Sequence, residues 1–153
     1  MQVAILIGLQ AAGKSTFCRE RFFETHIRLN LDMLKTRHRE KLLFQACLEA
    51  KQPAVIDNTN PILEDRSRYI FLAKAAHFKV IGYYFKPNLQ ECLQRNQQRS
   101  PERIVPKVGV LATYKKLIAP SFAEGFDELY SVQVISSPNS TDRIFKVDQL
   151  KPR

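Results

Sequence analysis

Apolar residues in this chain fall into short unbroken runs, separated by longer stretches in which they recur every three or four positions. Val3–Ile7, Ala54–Ile56 and Phe78–Phe85 are runs of the first kind. An uninterrupted apolar run of this length fits a strand covered on both faces, as in a parallel sheet. His26–Leu29 and Tyr130–Ile135 read as two more strands, and Ile144–Val147 as a last edge strand or a tail.

The intervening segments carry the helical period. One helix follows the first strand to about Phe23. A second is predicted over Met33–Ala50, with Leu43, Ala46, Cys47 and Ala50 on one face and Pro53 ending it. Pro61 is expected to open a third at its first turn, with Tyr69, Leu72, Ala73 and Ala76 as its stripe. A fourth starts at Pro87-Asn88 and packs through Leu89, Cys92 and Leu93; a fifth runs from Pro106 to about Ala119, where Pro120 stops it. Strands alternating with helices predict an α/β fold. The expectation is one domain over residues 1–153, with a parallel sheet of about five strands flanked by helices in three layers. Ligands of such sheets bind at the carboxyl ends of the strands.

Polar clusters follow the first three strands at that edge. Gly8 to Thr16 read G-x-x-x-x-G-K-S-T, a phosphate-binding loop between a strand and a helix. Gly8 and Gly13 allow close backbone approach, and the N–H groups of Ala11, Ala12 and Gly13 can turn inward as an anion nest. Lys14 brings a charge to the β- and γ-phosphates of a triphosphate, and the hydroxyls of Ser15 and Thr16 lie at the start of a helix. Asp57 ends the third strand, where with Ser15 it can hold Mg²⁺. Asp32 ends the second, where it can orient an acceptor hydroxyl and take its proton, or simply cap the next helix.

Two groups of cations complete the pattern. Lys35, Arg37, His38 and Arg39 follow Asp32 and are candidates for holding an acceptor, with Lys35 one turn away. Arg95, Arg99 and Arg103 recur every four residues in a polar, Pro-broken stretch over roughly 95–106 that reads as a lid. Arginines closing over a triphosphate would neutralise the charge in transfer. Asn58 and Asn60 follow Asp57 and are further acceptor candidates, or turn formers.

Composition changes this picture little. The chain has 24 Lys and Arg against 15 Asp and Glu, a net charge of +9 that favours phosphate-rich partners. Cys18, Cys47 and Cys92 lie far apart on predicted helices and are expected buried and reduced. His26, His38 and His77 have no triad or metal spacing. The apolar N-terminus lacks a basic leader, and no stretch is long enough to span a membrane, so the expected compartment is cytoplasmic.

With these residues placed, the chain resembles the small P-loop kinases of the polynucleotide 5′-kinase type, within the adenylate-kinase-like group. The carriers are Gly8–Thr16, Asn30-Leu31-Asp32, Val55 to Pro61 with its Asp-Asn-Thr-Asn-Pro run, Arg95-Asn96 with Arg99, and Pro120–Asp127. The resemblance implies a P-loop NTPase fold and transfer from ATP, with Mg²⁺, to a 5′-hydroxyl of RNA or DNA. Asp32 would be general base; Lys14 and Ser15 would bind phosphate and Mg²⁺; Arg95 and Arg99 would act from the lid. Related enzymes often carry Arg three residues after the base, where this chain has Lys35, which keeps the charge without the bidentate fork. A small-molecule kinase acting on a nucleoside, sugar or antibiotic remains open, as does an ATP-binding switch.

Overall fold

The computed structural model describes residues 1–136 and 143–153. In chain order the elements are β1 (Gln2–Ile7), α1 (Lys14–Phe22), β2 (Ile27–Leu29), α2 (Leu31–Leu34), α3 (Arg37–Glu49), β3 (Ala54–Asp57), α4 (Leu63–Ala75), β4 (Lys79–Phe85), α5 (Leu89–Gln97), α6 (Lys107–Lys116), β5 (Glu128–Ser136) and β6 (Arg143–Leu150). Short 3₁₀ turns lie at Pro101–Arg103 and Phe122–Glu124.

Among the described residues the strands form one sheet in the order β2-β3-β1-β4-β5-β6. The first five are parallel, and β6 runs antiparallel beside β5. The C-terminal segment is thus an edge strand rather than a tail. β1 lies at the centre, fully buried from Val3 to Ile7, which is why it is apolar throughout. Alternate residues feed the two faces. Val3, Ile5 and Ile7 pack with Phe44 and Cys47 of α3 and Tyr69, Ile70 and Ala73 of α4. Ala4 and Leu6 pack with Phe17, Cys18 and Phe22 of α1 and Cys92 of α5. These are the three expected layers, and all three cysteines are buried and free.

Several expected boundaries move. The predicted Met33–Ala50 helix is two helices, because Lys35 takes a positive φ of 74° and Thr36 caps α3 by accepting the N–H of Arg39 at 3.1 Å. The buried face of α3 is Glu40, Phe44, Cys47 and Leu48; Leu43, Ala46 and Ala50 are exposed. In α4 the core positions are Arg66, Tyr69, Ile70 and Ala73, while Leu72 faces solvent. Pro61 lies two residues before α4 begins rather than at its first turn. The spacing of Arg95, Arg99 and Arg103 is not that of one helix, since α5 ends at Gln97 and Arg103 belongs to a 3₁₀ turn.

Candidate active site

The loop between β1 and α1 supplies the floor of the site. A Cβ on Gly8 would come within 2.8 Å of the Cβ of Phe85, so only glycine lets β1 leave the sheet here. Gly13 opens α1 at φ 98°, a conformation glycine adopts freely. The Lys14 ammonium is folded back on its own loop and donates to the carbonyls of Gly8 at 2.9 Å and Leu9 at 2.5 Å. Burial pulls its pKa down to about 8, against the opposing charge of Asp57. A lysine so starved of solvent favours an incoming anion.

Asp57 sits at the carboxyl end of β3 with its side chain 1% exposed. The Ser15 hydroxyl donates to its Oδ2 at 3.0 Å. An octahedral magnesium ion with Mg–O bonds of about 2.1 Å has neighbouring ligand oxygens about 3 Å apart, so a hydroxyl and a carboxylate at this spacing fit Mg²⁺. Among the described residues no group of three or more His, Cys, Asp and Glu side chains is arranged to hold a metal, so other ligands must come from phosphate and water. Sequence reasoning missed a third participant. Arg28 of β2 donates through Nε to the same Oδ2 at 2.8 Å and through NH2 to Ser15 Oγ at 3.3 Å. Arg28 pairs in register with Val55, two residues before Asp57 on the same face; only strand order makes that readable.

Asp32 is exposed on α2, a single turn held from three sides. Asn30 caps it, accepting the N–H of Met33 at 3.0 Å and donating to the carbonyl of Asp57 at 2.6 Å. Asn58 accepts the N–H of Leu31 at 3.0 Å and donates to Glu40 at 2.9 Å. Glu40, 3% exposed, is another residue that sequence reasoning missed. It accepts from Tyr69 at 2.7 Å and from Arg37 at 3.0 Å. Burial, reinforced by Glu40, pushes the Tyr69 phenol pKa upward. Asp32 itself is close enough for its charge to be felt at both Lys14 and Arg99.

This network already engages three of the expected acceptor residues. Asn60 is buried at φ 45° and donates to the carbonyl of Leu6 at 2.8 Å; it shapes the turn. Asn58 is occupied on both sides by Leu31 and Glu40. Arg37 donates one nitrogen to Glu40 and, at 2.8 Å, to Tyr69. Lys35 remains exposed beside Asp32.

The lid arginines also divide. Arg95 donates to the carbonyl of Ala11 at 2.9 Å and to Glu91 at 2.7 Å, tying α5 to the phosphate loop. Ala11 sits at φ 59°, so this contact fixes a backbone that alanine rarely adopts. Buried Asn96 ties together the segment between α5 and α6 by donating to the carbonyl of Val105 at 2.6 Å and accepting the N–H of Val105 at 3.0 Å. Arg99 makes a weaker contact, 3.4 Å to the carbonyl of Arg103. Its pKa is lowered by burial, with Asp32 opposing. Arg143 of β6 donates to Thr16 Oγ1 at 3.3 Å; burial, then Arg95 and Arg99, lowers its pKa too. Lys14, Arg95, Arg99 and Arg143 therefore gather about one glycine loop, a concentration of positive charge that suits an anion.

A family model described as an AAA domain matches residues 3–120. The chain belongs to that family. It is 24% identical over 135 residues to a bifunctional polynucleotide phosphatase/kinase of Schizosaccharomyces pombe, and 28% identical over 138 residues to a putative one of Acanthamoeba polyphaga mimivirus. Each alignment covers 86% of this chain and 33% of the relative, so the chain spans about a third of the length of these relatives. Among solved structures, Chaetomium thermophilum Kti12 in complex with ADP-AlF3 matches with TM-score 0.65 at 14% identity, over 86% of this chain and 88% of that one. A gluconokinase from Sinorhizobium meliloti matches with TM-score 0.60 at 14% identity, over 89% and 84%. These likenesses establish the P-loop kinase fold. Among the described residues no helix is long and apolar enough to cross a membrane.

Proposed function

We propose that this domain transfers the γ-phosphoryl group of ATP to the 5′-hydroxyl of a polynucleotide, with Asp32 as general base. The observation that carries the reading is the setting of Asp32: an exposed carboxylate on a turn braced by Asn30 and Asn58, its charge reaching Lys14 and Arg99. A module that only bound nucleotide would need no such carboxylate.

In this reading the Lys14 ammonium leaves the loop carbonyls for the β- and γ-phosphates, whose negative charge raises its pKa again. The backbone N–H groups of Ala11, Ala12 and Gly13, with Thr16, surround the phosphates. Ser15 and Asp57 would hold Mg²⁺, which would supply charge neutralisation on the phosphate oxygens. Asp32 orients the acceptor hydroxyl and accepts its proton as the bond from the acceptor oxygen to the γ-phosphorus forms and the bond from that phosphorus to the β-phosphate oxygen breaks, with ADP as leaving group. Arg99 offsets charge on the transferring group. Arg95 acts as a positioning residue, because its guanidinium holds Ala11. Lys35 grips the acceptor's phosphate.

The polynucleotide acceptor is supported by the two curated relatives and by the net charge of +9. The test is a panel of acceptors with γ-labelled ATP, in which 5′-OH oligonucleotides take the label. A second reading, a small-molecule kinase, is favoured by the internal engagement of Arg37 and Asn58, which leaves one fewer cation and one fewer polar group for a strand. Labelling of metabolites and not of oligonucleotides would select it.

A further inference from the structure

Asp57 is a buried carboxylate, and a buried charge demands a partner. Lys14 does not hydrogen-bond it, since its ammonium donates to Gly8 and Leu9. The partner is Arg28, at 2.8 Å from Oδ2, and the same guanidinium reaches Ser15 Oγ at 3.3 Å. Ser15 and Asp57 are the pair assigned above to Mg²⁺, and the present inference rests on that assignment. The cation in contact with both oxygens is therefore one supplied by the chain itself.

We infer that Arg28 is a resident counter-cation of the metal site, holding Asp57 and Ser15 in the metal-free protein and yielding them to a divalent ion that enters with the nucleotide. A guanidinium and a dication compete at these oxygens, because two cations so close repel each other. Arg28 is free to leave: its side chain is 37% exposed, whereas that of Asp57 is 1% exposed and fixed at the strand end. Release has two consequences. Without nucleotide the ion must compete with Arg28 for the Ser15 and Asp57 side chains, so binding is weak. With nucleotide, phosphate oxygens join the ligand set and shift the exchange toward the metal. Arg28 thus makes metal loading conditional on nucleotide, and it keeps the buried Asp57 paired between turnovers.

The exchange is read by Mn²⁺ titration, followed by electron paramagnetic resonance, of nucleotide-free protein. Arg28→Gln removes the competitor and should bind Mn²⁺ about tenfold more tightly than the unaltered chain, since apparent affinity scales with the fraction of open site. Arg28→Lys, which keeps the charge but not the two-point contact, should fall between. Adding Asp57→Asn to Arg28→Gln should abolish the gain. Equal affinity of the unaltered chain and Arg28→Gln, both sensitive to Asp57→Asn, would overturn the exchange and leave the metal assignment standing. Affinity indifferent to Asp57→Asn would overturn both. A second readout needs no variant: the Arg28 Nε–H resonance should shift and lose its protection from solvent exchange when MgADP is added. A resonance unmoved by saturating MgADP would overturn the proposal.

Discussion

The side-chain carbonyl of Asn58 accepts the N–H of Leu31 at 3.0 Å, one residue before Asp32, while its amide donates to buried Glu40 at 2.9 Å. Asn58 thus binds the turn carrying Asp32 to the ion-paired centre formed by Glu40, Arg37 and Tyr69. Asn58→Ala removes both contacts and leaves a buried carboxylate short of a donor. We expect a loss of stability of about 1–3 kcal/mol, read by urea unfolding. We also expect a fall in kcat with little change in the KM for ATP, because the turn and not the phosphate loop is loosened.

Arg95 and Arg99 should separate kinetically. Arg95→Ala frees Ala11 to leave its φ of 59°, so the KM for ATP should rise and Arg95→Lys should restore little of it. Arg99→Ala should leave nucleotide binding nearly intact and lower kcat by something on the order of 10³, as loss of a charge-neutralising arginine does. Steady-state kinetics on the two variants checks both.

Arg66 is fully buried in α4 and pairs with Glu124, whose side chain is 6% exposed, at 2.7 Å and 2.9 Å. The same guanidinium donates to the carbonyls of Asn60 and Ile118 at 3.1 Å and 2.9 Å. It therefore fastens the turn after Asp57 to the chain that returns from α6. Glu124→Ala strands a buried cation and should cost about 3–5 kcal/mol in chemical unfolding.

Lys14 gives the pH dependence. Its pKa in the folded protein is lowered from 10.5 to about 8 by burial. Below that value the ammonium is charged and ready for phosphate; above it the free protein holds a neutral amine. Nucleotide affinity should therefore weaken as pH rises through about 8, approaching about tenfold per pH unit, with a proton taken up on binding. Titration of ADP by calorimetry from pH 6.5 to 9.5 in buffers of different ionisation heat measures both; a flat affinity would contradict it. Folding stability moves oppositely: between about 8 and 10.5 the unfolded chain binds the extra proton, so stability gains from this group as pH rises.

What the sequence made legible follows the range of the interactions. β1, β3 and β4 are buried on both faces, so their apolar runs were unambiguous, and the phosphate loop is a local motif. Asp57 was readable because it ends such a run. The break at Lys35 was not, since a positive φ at a lysine has no local signature and Thr36 is an ordinary residue until its hydroxyl is seen capping α3. Arg66 and Glu40 occupy positions that periodicity assigns to apolar side chains, so the helical stripes were displaced to exposed Leu43 and Leu72. Arg28, Glu40 and Arg143 reach the site or its supports from elements distant in sequence. No spacing rule could join Arg28 to Asp57 before the order β2-β3-β1 was known.

The central claim is that Asp32 takes the acceptor proton. Its most direct measurement is transfer from γ-labelled ATP to a 5′-OH oligonucleotide by Asp32→Ala beside the unaltered domain, with ATP affinity measured on both. Labelling by the unaltered domain is expected, with a loss of about 10²–10⁴ in the variant, the range of general-base catalysis, at nearly unchanged ATP affinity. Full-rate labelling by Asp32→Ala would contradict it.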